Sequence, residues 1–376
     1  MYDIMTPGPT QVRENVLAAR ALPCTNPDLD PDFFTFYKET CELISSLLHT
    51  GNQTLILDGE GILGLEAACA SLTEPGDRVL VLDNGVFGKG FADFVRIYGG
   101  EPVLYTTDYR HTLDVDALAA FLEKDHDFKY ATVVHCDTPS GMLNDISRIC
   151  PLLNSWGILT VVDSVSAMFG EEVRVDDFCI DLLCGGSQKA VSAPPGLTFV
   201  TISPAAWKTM KERRTPIASF YANLLAFDGY FEKQWFPYTM PISDIRGLRA
   251  AFENIQADPD ILGRHARIAQ AVRRALTECG LTLHTRDGWS NTVSVFDVPE
   301  RTTASAILTA LREDHNLMLA GSFDVLEGQV IRIGHMGENA REEKLAAVMK
   351  ALDAVFAKLG VILNGSLEEV YRLCLQ

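Results

Sequence analysis

Ile158-Leu159-Thr160-Val161-Val162-Asp163 is a run of strand length, apolar at almost every position and closed by a carboxylate. A strand that alternates apolar and polar residues covers one face, whereas one that is apolar throughout is buried on both. Runs of the same kind stand at residues 78–82 (RVLVL), 102–105, 130–135 and 197–202. Helical patterns fill the spaces between several of them, at 88–98, 114–124 and 146–156. Upstream, 33–48 reads as an amphipathic helix, 54–57 as a short strand and 62–72 as an apolar, alanine-rich helix. Buried strands alternating with helices predict a large, mostly parallel, doubly wound sheet covered on both faces.

The pattern changes beyond residue 215. Aromatic residues crowd 220–238, and long helical stretches follow at 242–255 and 262–279. Strands and helices of an α+β kind then alternate, at 292–296, 303–314, 330–333 and 342–359. The expected organisation has three parts. An N-terminal segment, 1–20, lies with the active site and the small domain. A large α/β domain spans 21–260, and a smaller C-terminal α+β domain spans 261–376.

Composition narrows the function. The 376 residues carry a formal net charge of -18, which repels polyphosphate and argues against a nucleic-acid partner. The same field opposes small anionic substrates, so a site for them must supply a cation locally. Nine cysteines form no C-x-x-C pair, and several, such as Cys69 and Cys184, sit in apolar runs. That is the usage of reduced thiols in a cytoplasmic protein. The eight histidines show no metal-ligand spacing, so no metal is expected. Residues 1–10 have neither the basic nor the apolar part of a signal peptide, and no apolar run is long enough to span a membrane. A soluble, cytoplasmic protein is expected.

Four segments carry chemistry-bearing residues. Gly185-Gly186-Ser187-Gln188-Lys189 follows the apolar run 180–184. Lysines are rarely buried without a role, although a surface-loop lysine would read the same way. Burial beside a cation would disfavour the ammonium and leave a nucleophilic amine. Asp163 closes its strand at the carboxyl edge, where open α/β sheets bind ligands, and a helix cap from Ser164 onward is the plainer alternative. Gly59-Glu60-Gly61 stands between a strand and a helix, either as an anion-binding turn or as an ordinary one. His135-Cys136-Asp137-Thr138-Pro139-Ser140-Gly141 ends another strand as a polar loop or an N-cap.

In this order and spacing the segments resemble the class V aminotransferases, a branch of the fold-type I pyridoxal-phosphate enzymes. The likeness begins at Thr6-Pro7-Gly8-Pro9-Thr10 and continues through Gly59-Glu60-Gly61 and Asp83-Asn84-Gly85-Val86-Phe87-Gly88. It then takes in the 135–141 loop, Val162-Asp163-Ser164-Val165-Ser166, Gly186-Ser187-Gln188-Lys189-Ala190 and Val330-Ile331-Arg332-Ile333-Gly334. The alanine–glyoxylate and serine–pyruvate aminotransferases are the nearest in pattern. The resemblance implies pyridoxal 5'-phosphate as cofactor, joined to Lys189 as a Schiff base, with Asp163 on the pyridine nitrogen. It implies Thr138 at the ring hydroxyl, Phe87 stacked on the ring and Val165 beneath it. Gly61, Ile62 and Gln188 would hold the phosphate, with Thr239 reaching over from a second subunit of a homodimer with shared sites. Arg332 would clamp the substrate carboxylate, with Gly8 beside it; a surface arginine on an edge strand is the alternative for Arg332.

Two positions depart from the family pattern. Glu60 and Ile62 stand where side-chain hydroxyls usually donate to the phosphate, and Phe236 stands where relatives often have a tyrosine that reaches the partner's phosphate. A carboxylate beside a phosphate is repulsive, so Glu60 is expected to turn away or to pair with a cation, leaving backbone N–H groups to hold the phosphate. The expected reaction moves an amino group between alanine, serine or glycine and pyruvate or glyoxylate, by a ping-pong mechanism. A transaminase of 2-aminoethylphosphonate and pyruvate is the alternative on the same architecture. A cysteine desulfurase needs a reactive thiol on a C-terminal loop, and Ala320-Gly321-Ser322-Phe323 offers none.

Overall fold

Leu182–Gly186 and Leu197–Ile202 are buried at every residue, and Leu159–Asp163 at all but its first. Such strands need cover on both faces, and helices provide it. The computed structural model describes residues 2–375. Its central sheet has seven strands in the order Gln53–Asp58, Leu197–Ile202, Leu182–Gly186, Leu159–Asp163, Tyr130–Val134, Arg78–Asp83, Glu101–Thr106. Leu197–Ile202 runs antiparallel to both neighbours, and the other adjacent pairs are parallel. The register sets Val134 opposite Asp163, and Asp163 opposite Cys184. Asp83, Asp163 and Gly186 therefore end their strands along one carboxyl edge.

A second apolar core lies around the antiparallel strands Val293–Asp297 and Val330–Gly334 and the helices Ile261–Glu278, Ala304–His315, Glu342–Lys358 and Leu367–Cys374. The N-terminus joins this core. Asp3–Ile4 pairs in parallel with Leu317–Met318, and Met5 is buried in the same cluster. The helix Glu14–Arg20 packs instead on Ile242–Gln256. Among the described residues, no helix is long and apolar enough to cross a membrane. Phe236, placed by resemblance with a tyrosine that leaves its own chain, is 4% exposed and stacks face to face on Phe34, with ring centroids 4.6 Å apart. It faces the core of its own chain because Phe33, Tyr37 and Tyr230 close around it.

The edge strand Gln53–Asp58 shows how the sheet ends without an open ladder. Tyr37, from the helix Pro31–Leu47, donates its hydroxyl to the Ile56 carbonyl at 2.8 Å and accepts the Ile56 N–H at 2.8 Å. One buried hydroxyl thus satisfies both backbone groups of Ile56. Tyr37→Phe should lower unfolding free energy by about 1–3 kcal/mol, the cost of leaving buried polar groups without partners. Urea unfolding checks this, and an unchanged midpoint would contradict it.

Candidate active site

The chain leaving Gly186 does not cross over to a parallel neighbour. It turns back into the antiparallel strand Leu197–Ile202, so residues 187–196 stay on the carboxyl edge. Ser187 fastens the turn: its N–H donates to the Leu197 carbonyl at 3.0 Å and its Oγ to the Pro194 carbonyl at 2.7 Å. Lys189 rises from this loop, and its Nζ donates to the Pro7 carbonyl at 2.6 Å. Thr10 Oγ1 in turn donates to the Lys189 carbonyl at 3.0 Å. Gly8 takes a φ of +89°, and a Cβ there would collide with the Lys189 stem. Only glycine accepts that backbone without strain and leaves room for the lysine.

Asp163 lies one strand away. It is 5% exposed and accepts the Val165 N–H at 2.9 Å. Val165 reaches up between two glycines, and a Cβ on Gly61 would sit 3.0 Å from its methyl groups. Phe87 opens the helix Val86–Ile97, its N–H donating to Asp137 Oδ1 at 3.0 Å. Thr138 Oγ1 bonds the hydroxyl of Ser166. Gly8, Gly61, Ile62, Phe87, Thr138, Asp163, Val165, Gln188 and Lys189 all line one cavity of about 370 Å³. Arg332 stands on the strand Val330–Gly334. Its Nε donates to the Gly321 carbonyl, its Nη1 points at the Thr138 carbonyl at 3.4 Å, and its guanidinium lies 5.7 Å from the Phe323 ring centre. Thr239 is exposed and lies outside this cavity, its hydroxyl donating to Asp28 at 2.8 Å.

The charges at the site act on one another. Enclosure, and then the positive field of Arg332, bring the Lys189 ammonium down to about 8, against the opposing pull of Asp163 and Glu60. Burial lifts the Asp163 carboxyl to about 7, and Asp137 and Glu60 push the same way. Burial also brings Arg332 to about 10, partly offset by Asp137. His135 is held neutral by burial, with a value near 3, and its Nδ1 lies 3.0 Å from Ser164 Oγ. A near-neutral amine, a buried carboxylate and a guanidinium in one site suit carbonyl chemistry on an anionic substrate.

The class-V aminotransferase family model matches residues 25–323. The chain belongs to this family. Similarity extends beyond the matched segment. An uncharacterised aminotransferase of Methanocaldococcus jannaschii is 33% identical over 98% of this chain and 96% of its own length. The pyridoxamine–pyruvate transaminase of Mesorhizobium japonicum is 32% identical over 89% of this chain and 86% of its own. The solved structure of ureidoglycine–glyoxylate aminotransferase from Bacillus subtilis superposes with a TM-score of 0.95 at 27% identity, covering 100% of this chain and 98% of that one. The fold is therefore that of the fold-type I aminotransferases.

The family cofactor, pyridoxal 5'-phosphate, fits this aminotransferase at one end. Asp163 suits the pyridine nitrogen, Val165 and Phe87 suit the ring faces, and Lys189 suits the aldehyde carbon. The phosphate end does not fit. Glu60 neither turns away nor meets a cation: its Oε1 accepts the Ile62 N–H at 3.1 Å and its Oε2 accepts Gln188 Nε2 at 2.9 Å. The extended backbone at Glu60 folds its own carboxylate over the start of the helix Gly61–Leu72, so the Ile62 N–H is already taken. Ser166, the Pro7 carbonyl and Phe323 also belong to the site, and sequence reasoning missed them. Ser166 lay within the quoted Asp163 motif, one residue past Val165, and that proximity was the signal for it.

The Lys189 amine attacks a carbonyl only when neutral. Attachment of pyridoxal should therefore accelerate as pH rises through about 8, well below the ordinary lysine value. Arg332→Gln removes a repelling cation and should move that inflection upward. Stopped-flow absorbance across pH reads both, and an inflection at the ordinary lysine value in the unaltered protein would contradict the assignment.

Proposed function

We propose that this aminotransferase passes an amino group between a small α-amino acid, such as alanine, serine or glycine, and pyruvate or glyoxylate. The transfer runs in two alternating half-reactions through a pyridoxal ring joined to Lys189. One observation carries the reading: Lys189 and Asp163 line one cavity and shift one another's protonation, and the nearby Arg332 lowers the proton affinity of the lysine. When bound, a pyridoxal ring accepts the electrons of the bond broken at the substrate α-carbon. The chain's residues do the rest. Asp163 would hold a proton on the pyridine nitrogen, and a positive partner there would keep the Asp163 carboxyl ionised. Lys189 Nζ would serve as the base that moves the substrate's α-proton. Thr138 Oγ1, with Ser166 behind it, serves the ring hydroxyl.

Arg332 supplies the local cation that a strongly acidic protein needs in order to recruit a carboxylate. Its Nε is committed to Gly321 and one Nη1 hydrogen to Thr138, which fixes the plane of the guanidinium and leaves the remaining Nη hydrogens for a two-pronged bond. A cavity of about 370 Å³ is small for a ligand site and favours short substrates. The Mesorhizobium relative is named for pyruvate and the Bacillus structure for glyoxylate, both short 2-oxo acids. Thr239 is exposed and sits outside the cavity of its own chain, which supports a homodimer in which it serves the neighbour's site. Nine unpaired cysteines, most of them buried, support a reducing, cytoplasmic location.

Purified enzyme mixed with single amino donors should show half-reaction spectra with alanine, serine or glycine and none with 2-aminoethylphosphonate. The reverse preference would transfer the assignment to a phosphonate substrate. Arg332→Lys keeps the charge and loses the planar fork. The specificity constant should fall about ten- to a hundredfold, the range for one charge-assisted bond, while ring attachment stays intact. Unchanged kinetics on every accepted substrate would show that another residue holds the carboxylate. Sedimentation should find a dimer, and an active monomer would rule out shared sites.

A further inference from the structure

The end of the cavity farther from the chemistry asks for a hydrogen-bond donor. A helix start is a ready site for a phosphate, because free N–H groups point outward there. At the helix Gly61–Leu72 that position holds a protein carboxylate instead. Glu60 Oε1 accepts the Ile62 N–H, and the Leu63 N–H is spent on the Glu60 carbonyl at 2.9 Å. The second carboxylate oxygen accepts Gln188 Nε2. Gln188 is 7% exposed, and its Oε1 is buried with no partner. Glu60, Gln188, Ile62 and Pro195 line this part of the cavity, and Lys189 is the one basic side chain among the residues lining the whole of it. Glu60 lines the same cavity as Asp163 and Lys189 and acts on the charge of both.

A phosphate monoester near neutral pH carries close to two negative charges and only acceptor oxygens. It would meet a carboxylate and an orphaned carbonyl, both acceptors. A primary alcohol brings one donor, is neutral, and answers the unpaired Gln188 Oε1 or Glu60 directly. We infer that the ring this site takes carries a free hydroxymethyl group in place of the phosphate ester, so that its ring ligands are pyridoxal and pyridoxamine. The inference rests on the functional reading above and names the ring on which that reading acts.

A consequence follows for turnover. In its amine form the ring has no covalent bond to Lys189, and without a phosphate only Asp163 offers it a charged contact. The ring then exchanges with solvent and is consumed as a substrate. The balance closes without another reagent. The amino group of pyridoxamine moves to the carbonyl carbon of the 2-oxo acid, whose oxygen leaves as water, and a water cleaves the bond to the exocyclic carbon, which becomes an aldehyde. The exocyclic carbon is oxidised by two electrons, and the acid's carbon is reduced by two. Lys189 carries the proton between the two carbons.

Separate titrations of the purified protein with pyridoxal and with pyridoxal 5'-phosphate test this. Calorimetry reads affinity, and borohydride reduction followed by peptide mapping reads attachment at Lys189. Pyridoxal is expected to bind at least about tenfold more tightly, the scale of one charge-assisted contact. Tighter binding of the phosphate ester, or purification of the protein with the ester fixed to Lys189, overturns the inference and leaves the functional reading standing. Failure of both rings to attach at Lys189 overturns the functional reading, and the inference falls with it. Glu60→Gln removes the charge while keeping a capping oxygen. It should raise affinity for the phosphate ester by about tenfold, and an unchanged ratio between the two rings would count against the role given to Glu60.

Discussion

The reversal of one strand governs the site. Had Leu197–Ile202 run parallel to Leu182–Gly186, the chain would have needed a long crossover, and Lys189 would have been carried away from the sheet edge. Because it runs antiparallel, ten residues suffice, and they stay where Asp83 and Asp163 also end. The Ser187 hydrogen bonds lock the turn from within. Everything placed over the ring space depends on this arrangement, including Val165, which rises between Gly61 and Gly186.

The buried charges are held in tension. Asp163 and Lys189 would each be neutral in a fully apolar pocket, and each draws the other back toward ionisation. Arg332 and Glu60 then oppose one another across the same lysine, the first lowering its proton affinity and the second raising it. The site is thus poised close to neutrality, where a proton moves at small cost. Asp137 takes part more quietly. It is buried, it fixes Phe87 and Ser140 through hydrogen bonds, and it tempers the loss of charge on Arg332.

Much of this was legible in the linear chain. Two-sided apolar runs announced the sheet, and the places of Lys189 and Asp163 at strand ends announced the edge. Short-range rules reach that far because strand length and helix period are local. Long-range pairing was not legible. Asp3–Ile4 is too short to read as a strand and becomes one only against Leu317–Met318. The helices Glu14–Arg20 and Leu367–Cys374 passed unread, each being only two turns long. Glu60 was recognised as out of place, but its outcome depended on Gln188, far away in sequence, turning an amide toward it. Phe236 was matched by motif, while its direction was set by Phe34 and Tyr230, which no spacing rule places beside it.

Residues 3–10 form a short tether with both ends fastened. At one end Asp3 and Ile4 are laced to Leu317–Met318, and Met5 accepts the Gly334 N–H at 2.9 Å, on the strand that bears Arg332. At the other end the Thr10 N–H donates to the Gln188 carbonyl at 3.1 Å, and Pro7 holds the Lys189 amine. So few residues leave little slack. Any shift of the arginine-bearing strand relative to the lysine loop must pull on the Pro7 carbonyl. The position of the Arg332 strand and the freedom of the lysine amine are therefore linked through the backbone as a single mechanical coordinate.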